Sequence, residues 1–272
     1  MTRKRVSLLC KLAVCMACLF LGYYNRFAII NVFNIGYKSR LYAPTMLYKS
    51  SNYYYITDCL HGRVIYCDSL DADLSNWKTL NDKVTGVHSI AANERFVVFD
   101  DTEGSRLLVY EERDGKIKLN TTLQTPNSRP HWIQYDLQTK CFYVMCSKSG
   151  IVMTLSANNN TIGIERLDTL SFLADHYVRS FNIIDGDMYF VSGRDQRPPK
   201  IYQVDYQNSY CLKDSFLVPN EISNTNFIDK VGSNFFITSL SDSTANELSP
   251  NIVKVSNLRQ LAGGGIFHCM IV

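Results

Sequence analysis

Charge of one sign is what this sequence has least of. Its formal surplus is +3, much of it from Arg3, Lys4, Arg5 and Lys11 at the extreme N-terminus, so the rest of the chain is close to neutral. Without a basic face there is nothing to pair with a phosphate backbone, and nucleic acid is not an expected partner. Local catalytic signatures are missing too: no G-x-S-x-G elbow, H-E-x-x-H pair, P-loop or EF-hand loop occurs. Of the nine cysteines, those outside the N-terminal hydrophobic stretch lack the spacing of a metal or redox framework. Cys10, Cys15 and Cys18 lie in a hydrophobic N-terminal stretch. The other six, Cys59, Cys67, Cys141, Cys146, Cys211 and Cys269, contain no C-x-x-C pair and no zinc-ribbon spacing. Cys59 and Cys67 flank one expected hairpin and could pair. Cys141 and Cys146 are an odd number apart, which points them to opposite faces of a strand. Burial as small apolar side chains is the plainer reading for most of these, and Cys146 has no nearby histidine in sequence to activate it.

What the chain has is apolar and aromatic. Hydrophobic residues make up 46% of the 272 and charged ones 19%, with 17 Tyr and 14 Phe. That is the composition of a folded protein enriched in strand-favouring side chains. The opening MTRKRVSLLCKLAVCMACLFLGYY sets a basic head before a run, Val6 to Tyr24, whose only charge is Lys11. Residues 1–26 therefore read as a signal peptide or a membrane anchor. Leu19, Phe20 and Leu21 stand where a small-x-small cleavage site is needed, and Tyr23-Tyr24 suits an interfacial aromatic pair, so an uncleaved anchor is preferred. The cations in front outweigh Arg26 behind, and the positive-inside rule then places the bulk of the chain outside the cytoplasm, secreted if the segment is cleaved. Residues 27–41 read as a linker or as a strand completing a later sheet, and residues 42–272 as the folded domain.

Self-similarity is the most informative property. Five segments share one pattern: a strand with a polar start, a turn, an aromatic-rich strand, a polar loop and an alternating apolar strand. They begin APTMLYKSS, GVHSIAANE, RPHWIQYDL, YVRSFNIID and NTNFIDKVG. Each is followed by a stretch such as KIKLNTTLQT or TIGIERLDTL that suits a fourth strand. Aligning the strand starts puts Thr45, His88, His131, Arg179 and Asn226 at one position, and the tail GGIFHCMIV offers His268. The intervals are 43, 43, 48, 47 and 42 residues. A four-stranded meander recurring every forty-odd residues is the mark of a β-propeller blade. Turns such as Asp185-Gly186-Asp187 and Glu103-Gly104-Ser105 punctuate the strands as hairpins require. The expected fold is all-β, with no helix beyond the N-terminal one.

The segments HSIAANERFVVFDDTEGSRLLVYEE and RPHWIQYDLQTKCFYVMCSKSGIVMTLS resemble blades of the NHL and SMP-30-like group of six-bladed propellers. That resemblance implies a ring of six in plan, with five recognisable blades and a partial sixth beginning at the C-terminal tail. A strand such as FAIINVFNI, residues 27 to 35, would complete the sixth, or the ring would stay open with exposed strand edges.

In a propeller the innermost strand of each blade lines the channel, so Thr45, His88, His131, Arg179, Asn226 and His268 are expected to ring its mouth. Asp58 and Asp100, near the ends of second strands, belong to the same neighbourhood; their plainer role is to start turns. For each histidine the plainer role is a hydrogen bond to a neighbouring blade. Histidines with one guanidinium and no carboxylate favour an anionic ligand, since Arg pairs bidentately with carboxylate or phosphate. The alternative is a zinc site of His88, His131 and His268, with a fourth position open for water or substrate. This resembles the propeller lyase that cleaves peptidyl-hydroxyglycine, and by that resemblance Arg179 would hold the substrate carboxylate. A lactonase-like calcium site fits less well, because the aligned ring has no acid and only Asn226. Asn120-Thr121-Thr122 and Asn159-Asn160-Thr161 match the glycosylation sequon. The sequence thus points to a membrane-anchored, extracytoplasmic propeller that binds or interacts. No cofactor is favoured in that reading. Two alternatives stay open: a zinc-dependent lyase or hydrolase, and a scaffold that meets a protein partner through its blade edges.

Overall fold

The computed structural model describes residues 39–126, 129–158, 160–174, 176–193, 198–240, 251–263 and, for the backbone, 267–269. Among them the regular structure is β, relieved by five short 3-10 turns. Five four-stranded antiparallel meanders, each with its strands in chain order, are the blades of a β-propeller. They divide between two compact units, Met1–Val87 and His88–Val272.

The first unit holds one blade: β1 (Pro44–Lys49), β2 (Tyr54–Asp58), β3 (Arg63–Cys67) and β4 (Lys78–Asn81). The β-branched and aromatic runs YYITD and RVIYC make its two central strands, and Ile56 and Ile65 pack against the buried Trp77. Between β2 and β3 the chain makes a 3-10 turn at Cys59–His61, closed by Gly62 at φ 61.

The second unit holds four blades. The second comprises β5 (Ile90–Ala92), β6 (Phe96–Asp101), β7 (Arg106–Arg113) and β8 (Lys116–Gln124). The third comprises β9 (Pro130–Asp136), β10 (Cys141–Cys146), β11 (Ile151–Asn158) and β12 (Thr161–Thr169). The fourth comprises β13 (Val178–Ile184), β14 (Asp187–Ser192), β15 (Lys200–Asp205) and β16 (Cys211–Leu217). The fifth comprises β17 (Thr225–Val231), β18 (Asn234–Ser239), β19 (Asn251–Val255) and β20 (Phe267–Cys269).

Second strands such as FVVFDD and CFYVMC are buried almost throughout, which suits their unbroken apolar runs. Outer strands such as KIKLNTTLQ are half-buried at most. The first strands lie inside and pack in sequence, β5 on β9, β9 on β13 and β13 on β17. Between the third and fourth blades Met145, Phe181 and Phe190 are fully buried, and between the fourth and fifth so are Val191, Ile228 and Ile237. Asp114-Gly115 and Asp185-Gly186 turn two hairpins with φ of 52 and 69, and 51 and 85. Both central residues in the left-handed region suit the twist of the flanking strands, and an Asp-Gly pair tolerates this where most residues do not.

Two expectations change. The tail does not open a sixth blade. Phe267–Cys269 pairs antiparallel with β19, His268 opposite Val253, and so closes the fifth blade as its outer strand. The 3-10 turn at Leu258–Gly263 stands between β19 and β20 in the chain. Cys59 and Cys67 are not joined in a disulfide, and neither are Cys141, Cys146 and Cys211. Among the described residues no helix is long and apolar enough to cross a membrane. The segment Val6–Tyr24 and the strand expected at residues 27 to 35 lie outside the described residues.

Candidate functional site

The starts of the first strands bring together His88, His131 and Arg179. His88 and His131 stack face to face, with ring centroids 4.2 Å apart and planes 17° from parallel. His131 Nδ1 lies 3.0 Å from the Arg179 carbonyl oxygen. A carbonyl can only accept, so Nδ1 carries the proton and the neutral ring keeps its lone pair on Nε2. Burial is the main reason both rings stay neutral, and the positive charges of Arg129 and Arg179 add to it. His88 is lowered to about 4 and His131 to about 3.

Two guanidinium groups give this mouth its sign. Arg129 is clamped by Glu103, with Nη2 at 2.5 Å from Oε1 and Nη1 at 3.2 Å from Oε2. Arg179 has no carboxylate partner among the described residues. Its guanidinium carbon sits 5.5 Å from the centre of the Tyr177 ring. Its Nε is buried without a hydrogen-bond partner among the described residues, and so is that of Arg129. Gly193 leaves room beside it: a Cβ there would lie 3.6 Å from Arg179 Nε. One residue further along the strands, Trp132 meets Phe227 with centroids 5.2 Å apart. The strands that carry them both flank β13, and the pair meets across it.

Asn226 belongs to the same level but faces its own blade. Its carbonyl accepts from Ser180 Oγ at 2.5 Å and its side-chain oxygen from Thr238 Oγ1 at 2.6 Å. Thr45 lies in the first unit, where its hydroxyl is 2.8 Å from Thr57 Oγ1 and donates to Val87 O at 3.1 Å. His268, on β20, stands at the outer edge of the fifth blade and not on a first strand. The zinc arrangement of three histidines at one level therefore loses its third member, because strand pairing carries that residue to the far side of the sheet. Among the described residues no three His, Cys, Asp or Glu side chains gather as metal ligands would.

The two aspartates turn inward. Asp58 is fully buried, with Oδ2 at 2.6 Å from His61 Nδ1 and 2.8 Å from Arg63 Nε, while Oδ1 accepts from Tyr42 N at 2.6 Å. Asp100 is also fully buried, and its Oδ1 accepts from His88 N at 3.0 Å and Ser89 N at 2.6 Å. Thr102 Oγ1 lies 2.5 Å from Asp100 Oδ2 and 2.8 Å from Pro130 O. Burial pushes Asp100 up to about 7 against these donors. Asp100 thus ties the start of β5 to the start of β9 rather than facing a ligand.

Sequence reasoning missed Arg129, Tyr177 and Asn224. Each stands two residues before an aligned position. A second aligned column would have found them. Of the two sequons, Asn120 has its amide engaged, donating to Asn160 O at 2.9 Å and accepting from Thr161 Oγ1 at 2.7 Å. Asn159 lies outside the described residues.

No model of a known protein family matches the sequence, and no curated protein does. Solved structures match it well in shape. Hydrazine synthase of Kuenenia stuttgartiensis is similar at TM-score 0.61 and 14% identity, over 85% of this chain and 67% of that one. The periplasmic gluconolactonase of Pseudomonas aeruginosa is similar at TM-score 0.60 and 14% identity, over 85% and 70%. Virginiamycin B lyase from Staphylococcus aureus follows at TM-score 0.57 and 15% identity, over 84% and 70%. At such identity the likeness is one of fold: these neighbours are propeller proteins, and this chain is built as they are.

Proposed function

We propose that the second unit is a binding module that takes a small anion bearing a hydroxyl group, a hydroxycarboxylate, at the mouth formed by His88, His131 and Arg179. The observation that carries this is the Arg179 guanidinium, which has no carboxylate partner among the described residues and whose Nε lacks a hydrogen bond there. A carboxylate of the ligand would complete it bidentately. The hydroxyl follows from the tautomer of His131, whose Nδ1–H is already used on the Arg179 carbonyl. Its Nε2 can accept but not donate, so a bare carboxylate oxygen would be repelled there while an O–H would be welcomed. The basic head and the apolar run Val6–Tyr24 support a module tethered to a membrane and held outside the cytoplasm. The fold's neighbours include a lactonase and a lyase, so the scaffold hosts enzymes as well as binders. The described residues of this mouth offer no base poised on a nucleophile, and binding is the reading they favour.

Titration calorimetry with tartrate and succinate tests it, since the two diacids differ only in their hydroxyls. Tartrate is expected to bind and succinate to bind at least about tenfold more weakly, with Arg179→Ala reducing tartrate affinity by about tenfold or more. Equal binding of the two acids removes the hydroxyl from the reading. An Arg179→Ala variant that binds tartrate as the parent does overturns the site.

A further inference from the structure

The flank of the fourth blade carries a cleft of about 500 Å³ that shares no residue with the mouth. Its shape follows from strand register. In the β15 and β16 pair, Lys200 stands opposite Leu217 and Tyr202 opposite Ser215. Residues two apart share a face, so these four look one way, towards the 3-10 turn at Ser171–Leu173. The residues between them, Ile201 and Phe216, look the other way into the core against the fifth blade. A register shift after Gln203 brings Leu212 to the cleft as well.

The cleft joins apolar walls to a polar floor. Leu212 is 44% exposed and Leu217 53% exposed, and with the half-buried Phe172 they form apolar walls held open to water. Such walls at one place on a surface mark a contact site more often than chance. On the floor, buried His176 places Nε2 at 2.9 Å from Tyr202 Oη. At the rim the Lys200 ammonium has no carboxylate partner among the described residues, and none of the residues lining the cleft is acidic. The volume falls in the range of small-molecule sites.

We propose that this cleft binds an amphipathic monoanion, an apolar body of medium chain length that ends in a carboxylate. The carboxylate would sit against Lys200, within reach of the Tyr202 and Ser215 hydroxyls, and the apolar body would lie between Phe172, Leu212 and Leu217.

The test uses the full chain and the fluorescent probe anilinonaphthalene sulfonate, which has the same division into anion and apolar body. Decanoate, decanol and acetate are then compared as displacers. Decanoate is expected to displace the probe about tenfold more effectively than decanol, the weight of one charge-assisted contact, and acetate not at all. Lys200→Met should bring the decanoate to decanol ratio close to one. Leu217→Asp, a change at an exposed position, should abolish displacement, and Arg179→Ala should leave all three results as they were. Thermal midpoints of each variant establish that it is folded; should Leu217→Asp not fold, the ratio in Lys200→Met decides. Decanol matching decanoate on the parent protein overturns the proposal. So does a Lys200→Met variant that keeps the parent ratio. Loss of decanoate binding in Arg179→Ala overturns it too, by moving the ligand to the mouth.

Discussion

Two clusters in this molecule are assembled from nearly the same side chains and come to opposite ends. In the first blade Asp58, His61 and Arg63 are all but fully buried, and the carboxylate touches both basic groups and a backbone amide. Its charge is closed within the cluster, so it can only hold the turn between β2 and β3. In the second unit His88, His131 and Arg179 meet with no carboxylate beside Arg179 among the described residues. Asp100 is buried, and its carboxyl group accepts from the backbone amides of His88 and Ser89. Glu103 is committed to Arg129. What separates a structural knot from the proposed binding site here is therefore the place of the acid and not the count of cations.

That contrast is broken most forcefully from its closed side. Arg63→Ala leaves Asp58 as a buried charge without its guanidinium, and the first unit should lose about 3 to 5 kcal/mol. Replacing both by apolar residues of similar size should cost far less, since neither charge is then stranded. The two tryptophans allow the units to be followed separately: Trp77 lies in the first unit and Trp132 in the second. Denaturant unfolding with either one replaced by Phe reads the other. A full loss on Arg63→Ala seen at Trp132 rather than Trp77 would contradict the assignment of that cluster to the first unit alone.

Acid tests the open side with a smaller expected effect. His88 and His131 have pKa values lowered from about 6.5 to about 4 and 3, so their neutral forms favour the fold above pH 6.5. That contribution is lost as pH falls through the folded values, each worth on the order of 3 kcal/mol when lost. Asp100 works in the other direction. Raised from about 4 to about 7, it favours the fold at low pH and loses that contribution as pH rises through about 7. Between pH 4 and 6.5 two imidazoles oppose one carboxyl, so stability of the second unit should decline towards acid with a moderated slope. Asp100→Asn should steepen that slope and His131→Asn should flatten it, both read at Trp132 in a Trp77→Phe background. Identical slopes in the three proteins would show that these groups do not titrate as their surroundings require.

Much of the frame was legible in the chain. Second strands such as FVVFDD and CFYVMC announce themselves because burial on both faces demands unbroken apolar runs, and the polar starts of first strands mark their exposure at the mouth. His88, His131 and Arg179 were found that way. His268 was not, because a short strand with a polar residue looks the same whether it opens a blade or closes one. Only its pairing with Val253 decides, and pairing is set by geometry far from the residue. Asp100 was misjudged for a related reason: in Asp100-Asp101 the chain alternates faces, so Asp101 reaches Arg106 at 2.7 Å while its neighbour is turned into the interior. The flank cleft depends on a register shift between two strands, which no local pattern in LKDSFL displays.

The functional half of the comparison is sharpened by Arg179 itself. A cation without an acid beside it is a burden on the fold, so Arg179→Ala should leave the stability of the second unit unchanged within about 0.5 kcal/mol or raise it slightly. The same change should lower tartrate affinity by about tenfold or more, the reverse of the outcome at Arg63, where stability and not binding falls. A loss of 3 kcal/mol or so on Arg179→Ala would make it as structural as Arg63 and erase the distinction.

The smallest effect comes from adding one methyl group beside it. A Cβ at Gly193 would lie 3.5 Å from Thr225 O, 3.6 Å from Arg179 Nε and 3.7 Å from Asn224 Oδ1. These are ordinary contact distances, so Gly193→Ala should fold with the parent's midpoint. The methyl would nonetheless cover the side of the guanidinium where Nε lacks a partner among the described residues, and would hinder a carboxylate or a bridging water from reaching it. Tartrate affinity should drop by about threefold, the weight of one weakened hydrogen bond. Affinity unchanged in Gly193→Ala, with Arg179→Ala still impaired, would place the ligand on the Nη atoms alone and turn the bidentate contact to the outer edge of the guanidinium.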